Sequence, residues 1–377
     1  SGFQAVGTAH PCGLWSSQPH RTVSWEDIYE TSTEDSHRIM RSLAPRTDDE
    51  VIHKAGTDNE STGFCGAAMT WEQLCSSGQR FRIIRRFVIT QPSGKKRVID
   101  DAADGGQSDL SSDGNKLQLC SALQPAVHVR CLVQAMRNQD RLPELTHDQL
   151  LTGGEDWPDA YRYTPMTPDS ARACVVAYWC CQSKAPRFRI CRGMLFGLPL
   201  AVTAFNRWPV MAQSMARRMV WLLVSMYFDD ANMQDFQSAS PSGQVSFQNT
   251  MEVLGTRLAP GKHQPMDKSG DFLGLTHHIA DAVKTGNVRF WVREALHDKL
   301  HGYIQKAQST RTPSSSAASK LFGCANFLDH GCFGKVARAG LTAIKDRQCE
   351  GQSYLTPQLN LGLQSRLALS WTSGHPE

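Results

Sequence analysis

Met219-Val220-Trp221-Leu222-Leu223-Val224-Ser225-Met226-Tyr227-Phe228-Asp229-Asp230 is the stretch on which the reading of the fold turns. The apolar run from Met219 to Met226 has the length and composition of a buried β-strand. Two adjacent carboxylates follow it. Side by side at a strand tip they repel each other, and a divalent cation seated on them makes such a pair tolerable.

The surrounding chain has 377 residues, enough for two or three compact units with their own cores. Its composition, 40% hydrophobic and 20% charged, is that of an ordinary soluble protein. No apolar stretch approaches the roughly 18 residues of a membrane span, because Arg217 and Asp229 bracket the longest one. No signal peptide is visible. The start at Ser1 instead of Met reads as a fragment, a processed product or a conceptual gene model. The twelve cysteines contain no Cys-x-x-Cys pair and read as reduced, intracellular thiols without a zinc module, in cytoplasm or nucleus alike.

The net charge of +4 is modest, but its distribution is uneven. Residues 80–99 carry Arg80, Arg82, Arg85, Arg86, Lys95, Lys96 and Arg97 with no acid. Residues 170–228 carry eight basic side chains, again with no acid, and run directly into Asp229-Asp230. Positive walls leading to a carboxylate pair suit a polyanion that must meet metal ions.

Residues 1–70, rich in Ser, Thr, Gly, Asp and His, read as a partly disordered extension with short Ser-capped helices near 24–30 and 36–43. Strands are expected over 81–90 and 95–100, joined by a turn at Pro92-Ser93-Gly94 into a basic hairpin. Further strands are expected over 173–181 and 187–191, with helices over 116–140, 199–217 and 246–258. Phe272-Leu273-Gly274-Leu275 reads as a short strand. Amphipathic helices follow, marked by Leu296, Leu300 and Ile304, by Leu321, Phe327 and Leu328, and by Ala337, Leu341 and Ile344. The tail after 351 shows no clear element.

Tyr227-Phe228-Asp229-Asp230 resembles the Tyr-x-Asp-Asp catalytic hairpin of reverse transcriptases, and other blocks of that family follow in order over residues 80–280. Gly154-Glu155-Asp156-Trp157-Pro158-Asp159-Ala160-Tyr161-Arg162 resembles the motif that pairs a metal-binding Asp with a deoxyribose-selecting aromatic five residues later. Here Gly153-Gly154-Glu155 replaces the usual apolar approach, and Glu155 can stand in for the Asp in another register. Leu195-Phe196-Gly197-Leu198-Pro199 looks like the nucleotide-positioning motif. Pro92-Ser93-Gly94-Lys95-Lys96-Arg97 looks like the hairpin that folds over the triphosphate, to which a guanidinium binds bidentately. Leu258-Ala259-Pro260-Gly261-Lys262 resembles the segment whose Lys protonates pyrophosphate, a general-acid role. Phe272 to Leu275 resembles the primer grip. His277 and His278 read as lining nucleic acid or solvent.

The resemblance implies an α/β right-hand polymerase: an extension (1–70), fingers (71–149), an antiparallel-sheet palm (150–285), a helical thumb or connection (286–350) and a tail (351–377). It implies an RNA-directed DNA polymerase of a retroelement, adding deoxynucleotides to a DNA or RNA primer 3′ end on an RNA template. Two Mg²⁺ ions, with Mn²⁺ as a substitute, would sit on Asp156, Asp229 and Asp230, about 3.5–4 Å apart. Lys262 would be the catalytic acid. Arg97, Lys95, Asp159, Ala160, Tyr161, Phe196 and Gly197 would bind the dNTP, and Leu273 and Gly274 would grip the primer. Arg289, Arg293, Lys299 and Lys306 would hold the duplex. No RNase H, protease or integrase signature is present; beyond residue 330 only Asp346, Glu350 and Glu377 are acidic. The rival reading is a catalytically inactive, retroelement-derived protein that binds RNA or RNA–DNA hybrid. The Gly-Gly-Glu approach to Asp156 and the polar Ala231-Asn232-Met233-Gln234 favour it. A related RNA-dependent RNA polymerase is a further alternative, against which Tyr161 argues.

Overall fold

The computed structural model describes residues 2–91, 94–140, 147–329, 338–349 and 354–372. The expected turn residues Pro92 and Ser93, and the helix marker Ala337, lie outside them. Segments Ser1–Gln118 and Pro158–Met211 form one compact unit; Leu119–Trp157 and Ala212–Glu377 form a second. The first unit holds strands β1 (Gly7–Ala9), β2 (Ile83–Thr90), β3 (Lys96–Asp101) and β4 (Ser111–Asp113). After β5 (Leu150–Asp156) in the second unit, β6 (Val175–Cys180) and β7 (Ala185–Arg189) return to the first. The second unit is completed by β8 (Leu223–Tyr227), β9 (Asp230–Phe236), β10 (Gln264–Asp267), β11 (Ser269–Phe272), β12 (Leu275–His278) and β13 (Arg289–Val292).

In the first unit β1 pairs with β4, and a four-stranded sheet runs β3-β2-β6-β7, parallel only between β2 and β6. Both faces of that sheet are covered. Ile84, Val176 and Tyr178 face one apolar cluster, while Ile83, Val175, Ala177 and Phe188 face another built on Ile39 and Leu74. This is why β6 reads as a near-continuous apolar run.

The N-terminal segment departs from the expected loose extension. Ala5 and Val6 are fully buried and join Ile28 and Ile52 in the core. Its polar residues serve as helix caps: Ser24 and Asp27 form a capping box on the helix Trp25–Glu30, and Thr70 and Gln73 do the same on Trp71–Cys75. The next helix, Ser32–Ser42, starts ahead of Ser36, which is buried within it instead of capping it.

The basic runs also differ from the positive walls anticipated. Arg82 is buried against Asp35 and the carbonyl of Ile28, and Arg86 against Asp100. Arg85 pairs with Asp101 and Asp104, and Lys96 with Asp48. In the second run Arg172 pairs with Asp169 and Arg189 with Glu60. Among the described residues, acids outside the runs thus pair with four of the seven cations in the first run and two of the eight in the second, and Lys95 and Arg97 stand exposed on the hairpin.

In the second unit an antiparallel sheet runs β10-β5-β9-β8 and a smaller one β11-β12-β13. The two glycines before Asp156 have a packing cause. A Cβ on Gly153 would lie 2.9 Å from Gln264 O, and one on Gly154 would lie 3.1 Å from Ala231 O. Their absence of side chains lets β10 and β9 close on β5, which is buried along its whole length. The polar residues of β9 are equally accommodated. Asn232 donates to Thr152 Oγ1 (3.2 Å) and Gly153 O (3.1 Å), Gln234 donates to Asn232, and His128 Nδ1 lies 2.9 Å from Gln234 Oε1. Satisfied in this way, a polar ladder is compatible with a buried strand.

The apolar run before the carboxylates is shorter as a strand than its composition suggests. The helix Pro199–Met219 takes its first residue, Trp221 turns at φ +56° and is 89% exposed, and the strand begins only at Leu223. Arg217 fixes this reversal by donating from Nε to Val224 O at 2.8 Å. Phe272 to Leu275 is likewise a hairpin turn, with Leu273 and Gly274 at φ +47° and +79° between paired Phe272 and Leu275.

Helices Glu294–Thr310, Ser315–Leu328, Ala339–Cys349 and Pro357–Thr372 share a core that includes Leu300, Ile304, Leu321, Ile344, Leu359 and Leu363. The last of these helices was not expected from the sequence. Its signals are Thr356, whose Oγ1 accepts from Leu359 N, and Pro357 at the first helical position. Among the described residues no helix is long and apolar enough to cross a membrane.

Candidate active site

β5, β9 and β8 place the carboxylates. Asp156 stands directly across from Asp230 in the β5–β9 register, and Tyr227 stands across from Asp230 in β8–β9. The connecting turn has two residues, Phe228 and Asp229. Phe228 takes the left-handed region at φ +53°, a conformation of about 1–3 kcal/mol cost for a bulky side chain. Trp157 N donates to Asp229 O at 2.9 Å, tying the turn to the end of β5. The three aspartates thus lie at one end of one sheet.

Lys262 joins them. Its Nζ donates to Asp156 Oδ2 at 2.6 Å, and Ala259 N donates to Asp156 O at 2.9 Å. The hydrogen bond to Asp156 raises the lysine's pKa above its ordinary value, so it is an ammonium at neutral pH. Asp156, Asp230, Lys262, Gln264 and Leu273 line a cavity of about 340 Å³, together with Asp271 and Arg293, which pair at 3.3 Å. Asp156 and Asp230 therefore border one space with Leu273, which lies more than forty residues beyond Asp230 in sequence. Gly274 is required there: a Cβ would fall 2.9 Å from Leu296 Cδ2 and closer still to Phe327. Asp271 was missed by sequence reasoning, although it directly precedes the Phe272–Leu275 block. Arg293, read as a duplex contact, lies on the cavity through that same acid.

Glu155 lines the same cavity as Asp156 but is held in a network of its own. Its Oε1 accepts from Gln244 Nε2 (2.9 Å) and Gln248 Nε2 (2.7 Å), with His263 Nδ1 at 2.8 Å. That network ties β5 to the helix Ser242–Val253 and to the loop carrying Lys262. His277 differs from the expected lining role as well. It is fully buried, and burial pushes its pKa down to about 4, leaving a neutral core imidazole.

A divalent ion suits the donors present. They are carboxylate oxygens only, the hard ligands that Mg²⁺ or Mn²⁺ takes. Asp156 Oδ1 is buried without a hydrogen-bond partner, an orphan that a cation would satisfy. Among the described residues no three His, Cys, Asp or Glu side chains are gathered into a metal-holding group. Lys262 instead supplies the positive charge at Asp156.

Asp230 carries the electrostatic strain. Loss of solvent around its carboxyl, then repulsion from Asp229 and Asp156, push its pKa up to about 6 against the opposing pull of Lys262. The native state therefore binds the extra proton, and this group's contribution to stability falls as pH rises from about 4 to 6. The side chain keeps part of its surface in solvent, so the penalty above pH 6 is discounted to about 1 kcal/mol. Asp230→Asn is expected to raise the urea midpoint at pH 7.5 and to leave it nearly unchanged at pH 4. Equal effects at both pH values would show that the shift is absent.

In the first unit, Asp159 opens a short 3₁₀ turn, Ala160–Tyr163, from the left-handed region. Tyr161 stacks on Phe205 at 5.0 Å and tilts against Phe196 at 5.1 Å. Arg162 lies 5.7 Å from the Phe196 ring centroid and 3.8 Å from Asp100. Gly197, at φ +107°, brings its backbone so close to Asp100 that a Cβ would fall 2.5 Å from Asp100 O. Tyr161, Phe196 and Gly197 thus form one group, beside Ala160, which is buried. Arg97 lies on β3 opposite Ile89, and Lys95 O accepts from Gln91 N, closing the hairpin end.

No family model matches the chain, and no curated protein matches it. Solved structures do. A foamy viral protease-reverse transcriptase dRH in complex with ds DNA matches over 99% of this chain and 54% of its own, at TM-score 0.56 and 14% identity. The foamy viral protease-reverse transcriptase in complex with RNA/DNA hybrid matches at TM-score 0.54 and 14% identity, over 99% of this chain and 42% of that one. A third, the same protein in complex with dsDNA, gives 0.51 and 14%, over 99% and 64%. The chain spans about half the length of the first two. Its fold is similar to that of reverse transcriptases.

Proposed function

We propose that this chain is an RNA-directed DNA polymerase with a right-hand architecture, in which the β5–β9–β8 sheet is the palm and the four C-terminal helices are the thumb. The observation that carries this reading is the pairing of Asp156 with Asp230 beside the Phe228-Asp229 turn, on a cavity that also holds Lys262 and Leu273. Asp156, Asp229 and Asp230 would hold the metal ions. Mg²⁺ or Mn²⁺ bound there supplies Lewis-acid neutralisation of the triphosphate and lowers the pKa of the primer 3′-hydroxyl. Lys262, protonated at neutral pH, carries the proton that the leaving pyrophosphate needs. Arg97 and Lys95 meet the polyphosphate. Asp159, Ala160, Phe196 and Gly197 seat the dNTP, and Leu273 with Gly274 positions the primer end.

The test is primer extension by the purified chain on an RNA template with dNTPs and Mg²⁺ or Mn²⁺. Extension supports the polymerase. Hybrid binding by folded protein without extension supports the inactive binding protein, a reading to which the Lys262–Asp156 pair lends weight. Tyr161→Ala is expected to lower dNTP over rNTP selectivity about tenfold or more, since a lost side-chain clash of this size is worth roughly 1–3 kcal/mol. Competition between labelled dCTP and CTP measures it. Unchanged selectivity would remove the sugar-selecting role from Tyr161.

A further inference from the structure

Cys65 and Cys191 face each other across an isolated antiparallel bridge. The flanking bonds, Gly66 N to Ile190 O (2.9 Å) and Arg192 N to Phe64 O (2.7 Å), make this a non-hydrogen-bonded pair. Such pairs have Cα atoms about 4.5 Å apart, the closest approach in a sheet. That lies within the disulfide range of about 4.4–6.8 Å. Both cysteines are buried, at 3% and 1% exposure, with their thiols near enough for each to shift the other's pKa.

The surroundings are electropositive. Arg189 Nη1 lies 3.9 Å from Cys65 Sγ, Arg86 acts on both thiols, and Arg162 acts on Cys191. Against these three guanidiniums stand two carboxylates, Asp100 on Arg86 and Glu60 on Arg189. One positive charge is left over, and a thiolate balances it. The contact with Cys191 and the nearby arginines bring Cys65 down to about 6, while the same contact and burial push Cys191 up. As a neutral thiol Cys65 has only a weak 3.7 Å bond to Gly56 O.

We propose that Cys65 and Cys191 form a redox-active dithiol, in which Cys65 is the nucleophile toward a small peroxide and Cys191 the resolving thiol that closes a reversible disulfide. Cys65 S⁻ attacks one peroxide oxygen, which keeps its hydrogen and becomes the sulfenic acid; the O–O bond breaks, and the hydroxide that leaves takes a proton from solvent to become the first water. Cys191 then loses its proton and attacks Cys65 S. The S–O bond breaks, and the hydroxide departs with a proton as water. In sum, two thiols lose two electrons and two protons, and one hydrogen peroxide becomes two waters. The low exposure of Cys65 restricts the oxidant to this size.

The test uses the full chain with the exposed Cys75, Cys131 and Cys349 replaced by Ser, since these would oxidise regardless of geometry. The folded protein is treated with stoichiometric hydrogen peroxide at pH 7, alkylated under denaturing conditions and mapped by mass spectrometry. A Cys65–Cys191 linked peptide, returned to two thiols by dithiothreitol, is the expected result. Cys191→Ser should leave a dimedone-reactive sulfenic acid on Cys65, and Cys65→Ser should leave none on Cys191. No linked peptide from the folded protein, a different cysteine pairing, or dimedone labelling confined to Cys191 would overturn the proposal. Because the linkage is read in protein carrying both cysteines, misfolding of either single variant does not decide the outcome.

Discussion

Asp229→Asn is expected to lower primer extension by about a thousandfold or more while the unfolding midpoint stays level or rises slightly. The change is isosteric, and Asp229 O still accepts from Trp157 N, so the turn keeps its backbone tie. What is lost is one of three negative charges at the end of β5 and β9. Where a metal ion stabilises the charge developing in the transition state, that loss is worth several kcal/mol, and a thousandfold corresponds to about 4 kcal/mol. Stability responds in the opposite sense, because Asp229 raises the cost of ionising Asp230. An inert scaffold would show the second effect without the first. Extension within tenfold of wild type, assayed with Mg²⁺ and with Mn²⁺, would remove Asp229 from the chemistry. A matching loss of protein stability would instead make it a structural residue. Activity lost and stability kept is the signature of a site held together against its own repulsion.

How much of this was legible in the sequence depends on distance along the chain. The Asp229-Asp230 turn, the Tyr161 block and the Phe196-Gly197 entry to a helix are local patterns; the first and last lie in elements of the expected type, while Tyr161, for which no element was expected, lies in a 3₁₀ turn. The units that carry them interleave, which no local pattern states. The fate of the basic runs was illegible for a related reason. Arg82 finds Asp35 and Arg189 finds Glu60 across 47 and 129 residues, so a count within one window sees charge where the fold has pairs. Local chemistry also misled. Trp221 continues an apolar run but turns outward, since Arg217 is committed to Val224 O and ends the helix there. The Gly153-Gly154 step looked like a defect until the neighbouring strands were in view. At that point the missing Cβ atoms became the reason β10 can pair with β5. Satisfaction of Asn232 and Gln234 by Thr152 and His128 is likewise invisible one strand at a time.

Asp100→Leu is the substitution expected to cost the fold most. The carboxylate has no solvent exposure and receives Arg86 through Nε at 2.7 Å and Nη2 at 3.1 Å, with Arg162 at 3.8 Å. Burial works against the charge on Arg86, but Asp100 more than offsets it and holds the guanidinium's pKa above its ordinary value. Removing the acid leaves two buried guanidiniums facing each other without a counter-charge, at a cost of about 3–5 kcal/mol. That is a large share of the roughly 5–15 kcal/mol by which domains are stable. Arg86→Met should cost less, since Arg162 remains to meet Asp100. The double variant should recover part of the loss, so a double-mutant cycle on urea unfolding is expected to give a coupling of about 2 kcal/mol or more. Additive single effects would mean that the pair does not hold this region. The consequence reaches the proposed nucleotide positions through contacts already in place: Asp100 O abuts Gly197, and Arg162 lies against Phe196. Where Asp100→Leu leaves the chain folded, dNTP affinity should therefore weaken, even though Asp100 itself, fully buried under two arginines, has no surface to offer a substrate.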